Sequence, residues 1–176
     1  MQTLQKLGLL VGILASAGMA QKPPASPPAQ ASVTVAGKTI TIKYSAPSVR
    51  GRKIFGPGGL VSHDATYPVW RGGANAATAL HTDADLRLGT LRVPKGDYTL
   101  FVLVADPDHW RLIVNKQTGQ WGLTYDAKQD LGRVPMQMSV PPQSIEQLKY
   151  VLSPNKLTLE WENHIASVPL KADSGQ

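Results

Sequence analysis

Tyr98-Thr99-Leu100-Phe101-Val102-Leu103-Val104 carries an apolar side chain at nearly every position. An extended chain of that composition must be covered on both faces, so this stretch predicts a central strand of the core. Pro94-Lys95-Gly96-Asp97 is a turn that launches it, and Asp106-Pro107-Asp108-His109 is the turn that ends it. Trp110-Arg111-Leu112-Ile113-Val114-Asn115 then returns as its hairpin partner.

Upstream, Val33 and Val35 alternate with polar residues, Ala36-Gly37 supplies a turn, and Ile40, Ile42 and Tyr44 alternate again, which reads as a β-hairpin. Ser45 to Pro68 is broken by Pro and Gly, yet Ile54, Phe55, Leu60 and Val61 can pin it to the core. It is expected to be an ordered crossover. Ala79–Asp85 and Leu86–Val93 read as short strands, the latter turning at Gly89-Thr90. A second irregular segment runs from Gly119 through Trp121, Gly122, Tyr125 and Gly132 to Pro141-Pro142. Leu148–Leu152, Leu157–Trp161 and Ile165–Leu170 complete the pattern, joined by turns at Ser153–Lys156 and Glu162-Asn163.

About ten short strands without a convincing amphipathic helix describe an all-β fold, an antiparallel two-sheet sandwich. A closed barrel shares the local pattern, but two long crossovers suit Greek-key or jelly-roll-like connections better. The expected organisation is a signal peptide over 1–20, a Pro/Ala-rich linker over 21–31, one domain over 32–170 and a disordered tail over 171–176. Lys6, the apolar run Leu7–Leu14 and the small residues up to Ala20 carry the signal reading, with cleavage after Ala20 or Ala17. The apolar run is shorter than the ~20 residues that span a bilayer. With no Cys, the chain has neither disulfides nor a lipid-attachment thiol. An exported protein, periplasmic or extracellular in a bacterium and not membrane-spanning after cleavage, is expected.

The formal net charge is +6, with Lys and Arg scattered along the chain. That distribution gives no nucleic-acid patch, and small anionic or sugar-like ligands or an envelope polymer are better partners for an exported protein. His81, Asp83 and Asp85 would share one strand face, but the outer two would stand about 13 Å apart, too far to share one ion without a bend. Asp106 and Asp108 beside His109 are equally ordinary turn residues. His81, Asp83, Asp106 and Asp108 are therefore only weak metal candidates. Ser62-His63-Asp64 has the residue types of a triad but not its convergence, and no nucleophile elbow, phosphate loop or dinucleotide fingerprint is present. No cofactor is implied and no catalytic residue is assigned.

There remains a polar and aromatic set in or beside the irregular segments: Arg52, Trp70, Arg71, Asn75, Thr78, Asn115, Trp121, Tyr125 and Arg133, with Asp130. If they converge, guanidinium donors and stacking faces would suit a carboxylate, phosphate or sugar. The competing reading is structural, since such groups also pair buried loop backbone and plug the open ends of a sandwich.

Six motifs occur in order: Tyr44-Ser45-x-Pro47, Gly51-Arg52-x-Ile54-Phe55-Gly56, Trp70-Arg71-x-Gly73-Ala74-Asn75-x-x-Thr78, Pro94-x-Gly96-x-Tyr98-x-Leu100-Phe101, Trp110 with Asn115-Lys116, and Trp121-Gly122 with Tyr125. Together they resemble the bacterial domain of unknown function 2911 family, from about Val33 to about Leu170. Leu60-Val61-Ser62-His63-Asp64 departs from that family's usual segment before Trp-Arg, which implies a reshaped loop. The resemblance implies an exported β-rich domain and transfers no activity. The expected function is a non-catalytic ligand-binding or envelope-associated module. The alternative is a periplasmic hydrolase or other enzyme using a cleft near Trp70–Asn75, with His63, His81 or Asp130 as acid or base.

Overall fold

The structure is a computed structural model and describes residues 25–173. The expected signal peptide helix lies outside the described residues. Those residues form thirteen strands: β1 (Pro28–Val35), β2 (Lys38–Ser45), β3 (Val69–Trp70), β4 (Thr78–Thr82), β5 (Leu86–Leu88), β6 (Leu91–Val93), β7 (Gly96–Leu103), β8 (Arg111–Asn115), β9 (Asp130–Pro135), β10 (Gln137–Ser139), β11 (Ile145–Ser153), β12 (Lys156–Glu162) and β13 (His164–Ala172). The expected count of about ten misses mainly the short pieces β3, which follows directly on the first segment read as irregular, and β9 and β10, which lie inside the second. Two boundaries also differ. β1 reaches back to Pro28, because the residues up to Ala31 pair with Ile42–Ser45, so the Pro/Ala-rich segment is partly sheet. β13 runs to Ala172, where Ala172 pairs with Leu86.

The strands build two antiparallel sheets. The 7-stranded sheet has the order β1-β2-β4-β7-β8-β9, with β3 also on β7, and the 6-stranded sheet has the order β11-β12-β13-β5-β6, with β10 on β13. β7 is central, as its composition predicts: β4 pairs with it from Thr78↔Leu100 to Thr82↔Gly96, and β8 from Thr99↔Asn115 to Leu103↔Arg111.

Strand alternation divides the side chains. Ile40, Ile42, Leu80, Leu100, Val102, Leu112 and Val114 point inward and meet Leu148, Leu157, Leu159 and Val168 of the other sheet in one core. Burying each such side chain is worth about 1.5–3 kcal/mol, which explains how the sandwich holds without disulfides. Phe101 and Ile113 point the other way and form a second buried cluster with Val69, against which Tyr125 packs. The 116–129 segment thus covers the outer face of the 7-stranded sheet at β7 and β8. That cover is why β7 is apolar on both sides.

One end of the sandwich is closed by the 46–68 crossover. Its Phe55 lies at 4.6–5.7 Å, ring centre to ring centre, from Trp70, Trp110, Trp161 and His164. Trp70 stacks on Trp161, and Trp110 on His164. The Glu162 carboxylate accepts the Ile54 N–H at 2.9 Å and stands 3.3 Å from the His164 ring, off hydrogen-bond geometry. Burial holds the His164 imidazole below its ordinary pKa, and it is the bond from Ile54 to Glu162 that anchors the crossover to the β12–β13 turn.

Candidate functional site

The nine candidate residues do not converge on one site; they divide among several separate environments. Arg52 donates to the carbonyls of Val49 at 3.0 Å and Ser48 at 2.7 Å, so it ties down its own loop. Trp70 is 2% exposed within the aromatic plug, and its indole N–H donates to the Gly73 carbonyl at 3.2 Å. Thr78 is buried and donates to the Gly72 carbonyl at 3.2 Å, which also accepts the Tyr150 hydroxyl at 2.8 Å. Gly72 has φ +62, and a Cβ there would run into the Tyr150 hydroxyl. Glycine is required at this crossing of β3, β4 and β11.

Arg71 and Asn75 border a depression of about 220 Å³ with Asp64, Leu60, Trp70 and Trp161. The Arg71 guanidinium is already committed: Nη2 donates to both Asp64 oxygens at 3.0 Å, and Nη1 reaches the Asn75 carbonyl at 3.4 Å. Its charge is therefore met within the protein. Ser62, His63 and Asp64 diverge: Ser62 donates to the Gly59 carbonyl, Asp64 holds Arg71, and His63 is exposed.

Asn115, Tyr125 and Arg133 converge on Asp130. Its carboxylate accepts from Asn115 at 3.0 Å, from the Tyr125 hydroxyl at 2.8 Å and from Arg133 at 2.9 Å, while Arg133 also donates to the Tyr125 oxygen at 2.8 Å. Burial first, and then the Asp130 carboxylate, push the Tyr125 phenol up to about 12. Asn115 further donates to the Asp126 carbonyl and accepts from the Gln117 N–H. Every group is paired, and the cluster fastens the 116–129 cover to β8 and β9. Both Asp130 oxygens accept hydrogen bonds from the chain itself.

Beyond that cover the outer face lies open. A groove of about 380 Å³ is bordered by Thr41, Lys43, Ala79, His81, Asp97 and Thr118. It adjoins a second hollow of about 310 Å³, to which Lys43, Ala76, Ala79 and Gln120 contribute. Trp121 follows Gln120 in the chain and is 55% exposed. An isolated bridge joins Trp121 to Ala76, the Gly122 N–H donates to the Asn75 carbonyl at 3.1 Å, and the Ala77 N–H donates to the Gln120 carbonyl at 3.2 Å. The indole is thus exposed on fixed backbone. Alternation along β2 marks Thr41 and Lys43 as outward-facing, but the pairing that sets them beside His81 and Asp97 is non-local and had no signal in the sequence.

His81 is the polar centre of the groove. Its Nδ1 lies 2.7 Å from Asp97 and its Nε2 3.1 Å from Asp83. The hydrogen bond to Asp97, and next that to Asp83, raise the imidazole above its usual value; the same bond from His81 lowers Asp83. β4 ends at Thr82, so the chain bends and Asp83 comes alongside His81. Asp85 instead binds Arg92 at 2.9 Å and the Lys95 N–H. The Asp106 carboxylate accepts the Asp108 N–H at 2.8 Å and lies 2.9 Å from His109, an exposed turn. Among the described residues no group of three or more His, Cys, Asp or Glu is placed to hold a metal ion, and no helix is long and apolar enough to cross a membrane.

Neither the curated proteins nor the solved structures contain a match to this chain. A family model does match, over residues 26–170, and its description is a protein of unknown function. The matched span takes in both sheets, the aromatic plug, the Asp130 cluster and the open groove. The chain therefore belongs to the DUF2911 family.

Proposed function

We propose that the protein is an exported, non-catalytic β-sandwich module that binds a sugar-like ligand on the outer face of its 7-stranded sheet, with Trp121 as the stacking platform. Trp121 carries this reading. Trp70, Trp110 and Trp161 are each 2% exposed, whereas Trp121 presents more than half of its surface on backbone pinned to Asn75–Ala77. Leaving an indole in water forgoes a large burial gain, and an exposed aromatic face on fixed backbone, one residue along the chain from Gln120, suits a ring that is apolar on one face and hydroxylated at its edges. Thr41, Thr118 and Gln120 supply donors and acceptors in the adjoining hollows.

The absence of catalysis is supported by the commitments of the candidate groups: Asp130 is held by Asn115, Tyr125 and Arg133, both His81 nitrogens face carboxylates, and His63 sits apart on the crossover. Export to a bacterial envelope or exterior rests on the Lys6 to Ala20 pattern. Calorimetric titration with a panel of neutral oligosaccharides tests the binding. A bound oligosaccharide should perturb tryptophan fluorescence, and Trp121→Ala should weaken it roughly tenfold or more, as truncating a central aromatic anchor does, with the melting temperature unchanged. Uniformly absent binding, or undiminished binding by Trp121→Ala, overturns the reading.

A further inference from the structure

The groove has opposite charges at opposite corners. Its charged bordering residues are Lys43, His81 and Asp97. On the sheet, Lys43 pairs with Ala79, which pairs with Thr99; two residues further along, Thr41 pairs with His81, which pairs with Asp97. Lys43 and Asp97 are thus two residues and two strands apart, a diagonal of about 12 Å between Cα atoms. Both ends remain accessible, Asp97 through its second oxygen. Lys43 makes no salt bridge among the described residues. Asp97 gives one oxygen to His81 and is 71% exposed. His81 is held on its other side by Asp83, which fixes where Asp97 presents its second oxygen.

We propose that this groove binds a zwitterionic, amino-acid-like or short-peptide ligand, its carboxylate on Lys43 and its ammonium on Asp97. A ligand with only an acid group would gain Lys43 and meet Asp97, one of two carboxylates that share the single His81; a purely cationic one would gain Asp97 and meet Lys43. A ligand bearing both charges satisfies each end, and the side-chain reach across the diagonal leaves room for one or two residues. Thr41 and Thr118 between them offer hydroxyls to a peptide group. This site does not depend on stacking at Trp121.

Calorimetric titration of the full-length protein with alanyl-alanine, its N-acetyl form, its C-terminal amide and the doubly capped form is the test. The free dipeptide should bind, and each single cap should weaken it roughly three- to fivefold, the scale of an exposed ion pair. Lys43→Gln should remove sensitivity to amidation alone, and Asp97→Asn sensitivity to acetylation alone. Both side chains are exposed, and thermal melts verify that the variants stay folded. Equal binding of all four peptides, binding of none, or loss on one cap only overturns the zwitterionic site. Titration of each variant with the neutral oligosaccharides separates the outcomes, because failure of the peptides with sugar binding intact sinks this proposal and leaves the Trp121 reading standing.

Discussion

Gly122→Ala puts the link between the Asn75–Ala77 backbone and Trp121 at risk. Gly122 has no unusual φ, so space alone decides. An added Cβ would collide with the Cδ of Arg71 and lie 2.5 Å from the Asn75 carbonyl oxygen. Two escapes exist. If Arg71 swings out, it abandons Asp64 in a pair whose side chains are only 12% and 21% exposed, a loss of about 1–2 kcal/mol. If the backbones part, the 3.1 Å bond from Gly122 to Asn75 is lost, at about 1 kcal/mol, and the Trp121–Ala76 bridge loosens. The two contacts lie on different atoms, so both losses apply, and the cost is about 2–3 kcal/mol. For a domain of this size that lowers the melting temperature by about 5–10 °C. Gly119→Ala is the control: it stands in open space at φ +76 and incurs only the left-handed penalty of about 1 kcal/mol. Adding Arg71→Ala should recover part of the Gly122→Ala loss, a measurable non-additivity. A Gly122→Ala melt within about 1 °C of wild type would refute the packing argument.

Asp130→Ala strips one carboxylate from Asn115, Tyr125 and Arg133 and should destabilise by about 3 kcal/mol in urea unfolding, as breaking a mostly buried pair does; a loss under about 0.5 kcal/mol would mean that the cluster does not anchor the cover. His81 gives a pH signature. Its folded pKa is raised, so the bridge between Asp97 and Asp83 contributes stability that is complete below the unfolded value of 6.5 and fades as pH rises through the folded pKa. The histidine ring-proton NMR titration should show a midpoint above 6.5 that falls in Asp97→Asn; a midpoint at or below 6.5 in the wild type contradicts the bridge.

The sequence reads well where structure is local. Tyr98–Val104 differs from β7 by its edges only, and the Val35–Lys38 and Leu88–Leu91 hairpins close where Gly and polar turn residues stand. It reads poorly where strands are two or three residues long. Val69-Trp70 joins β7 only because the 46–68 crossover returns there, and nothing in two residues encodes that. The candidate site shows the same limit. Arg, Asn and Trp in irregular segments signal a demand for pairing, and the structure assigns the partners: Asp64 for Arg71, Asp130 for Arg133, Gly73 for Trp70. Residue type fixes the hydrogen-bond capacity, while topology decides whether a ligand or the chain itself fills it.

One row of the 7-stranded sheet shows why the open groove is the part left for a ligand. Gln30, Lys43, Ala79, Thr99, Asn115 and Asp130 are successive cross-strand partners from β1 to β9. At the β7–β9 end, Thr99 donates to the Gln117 carbonyl, and Asn115 and Asp130 bind the cover, so that their polar groups are consumed by the chain. At the β1–β4 end the cover stops at Thr118–Gln120 and the outward residues meet water. A sandwich needs only one face of each sheet for its core, and an outer face that packs nothing is free to remain wholly solvated. Part of this one is instead covered by a segment whose Thr118 borders a groove and whose Trp121 is exposed. The Asp130 cluster thereby acquires a role at a distance: it fastens that segment, so Asp130→Ala should weaken oligosaccharide binding even under conditions where the variant remains folded. Unchanged affinity in folded Asp130→Ala would separate the cluster from the site.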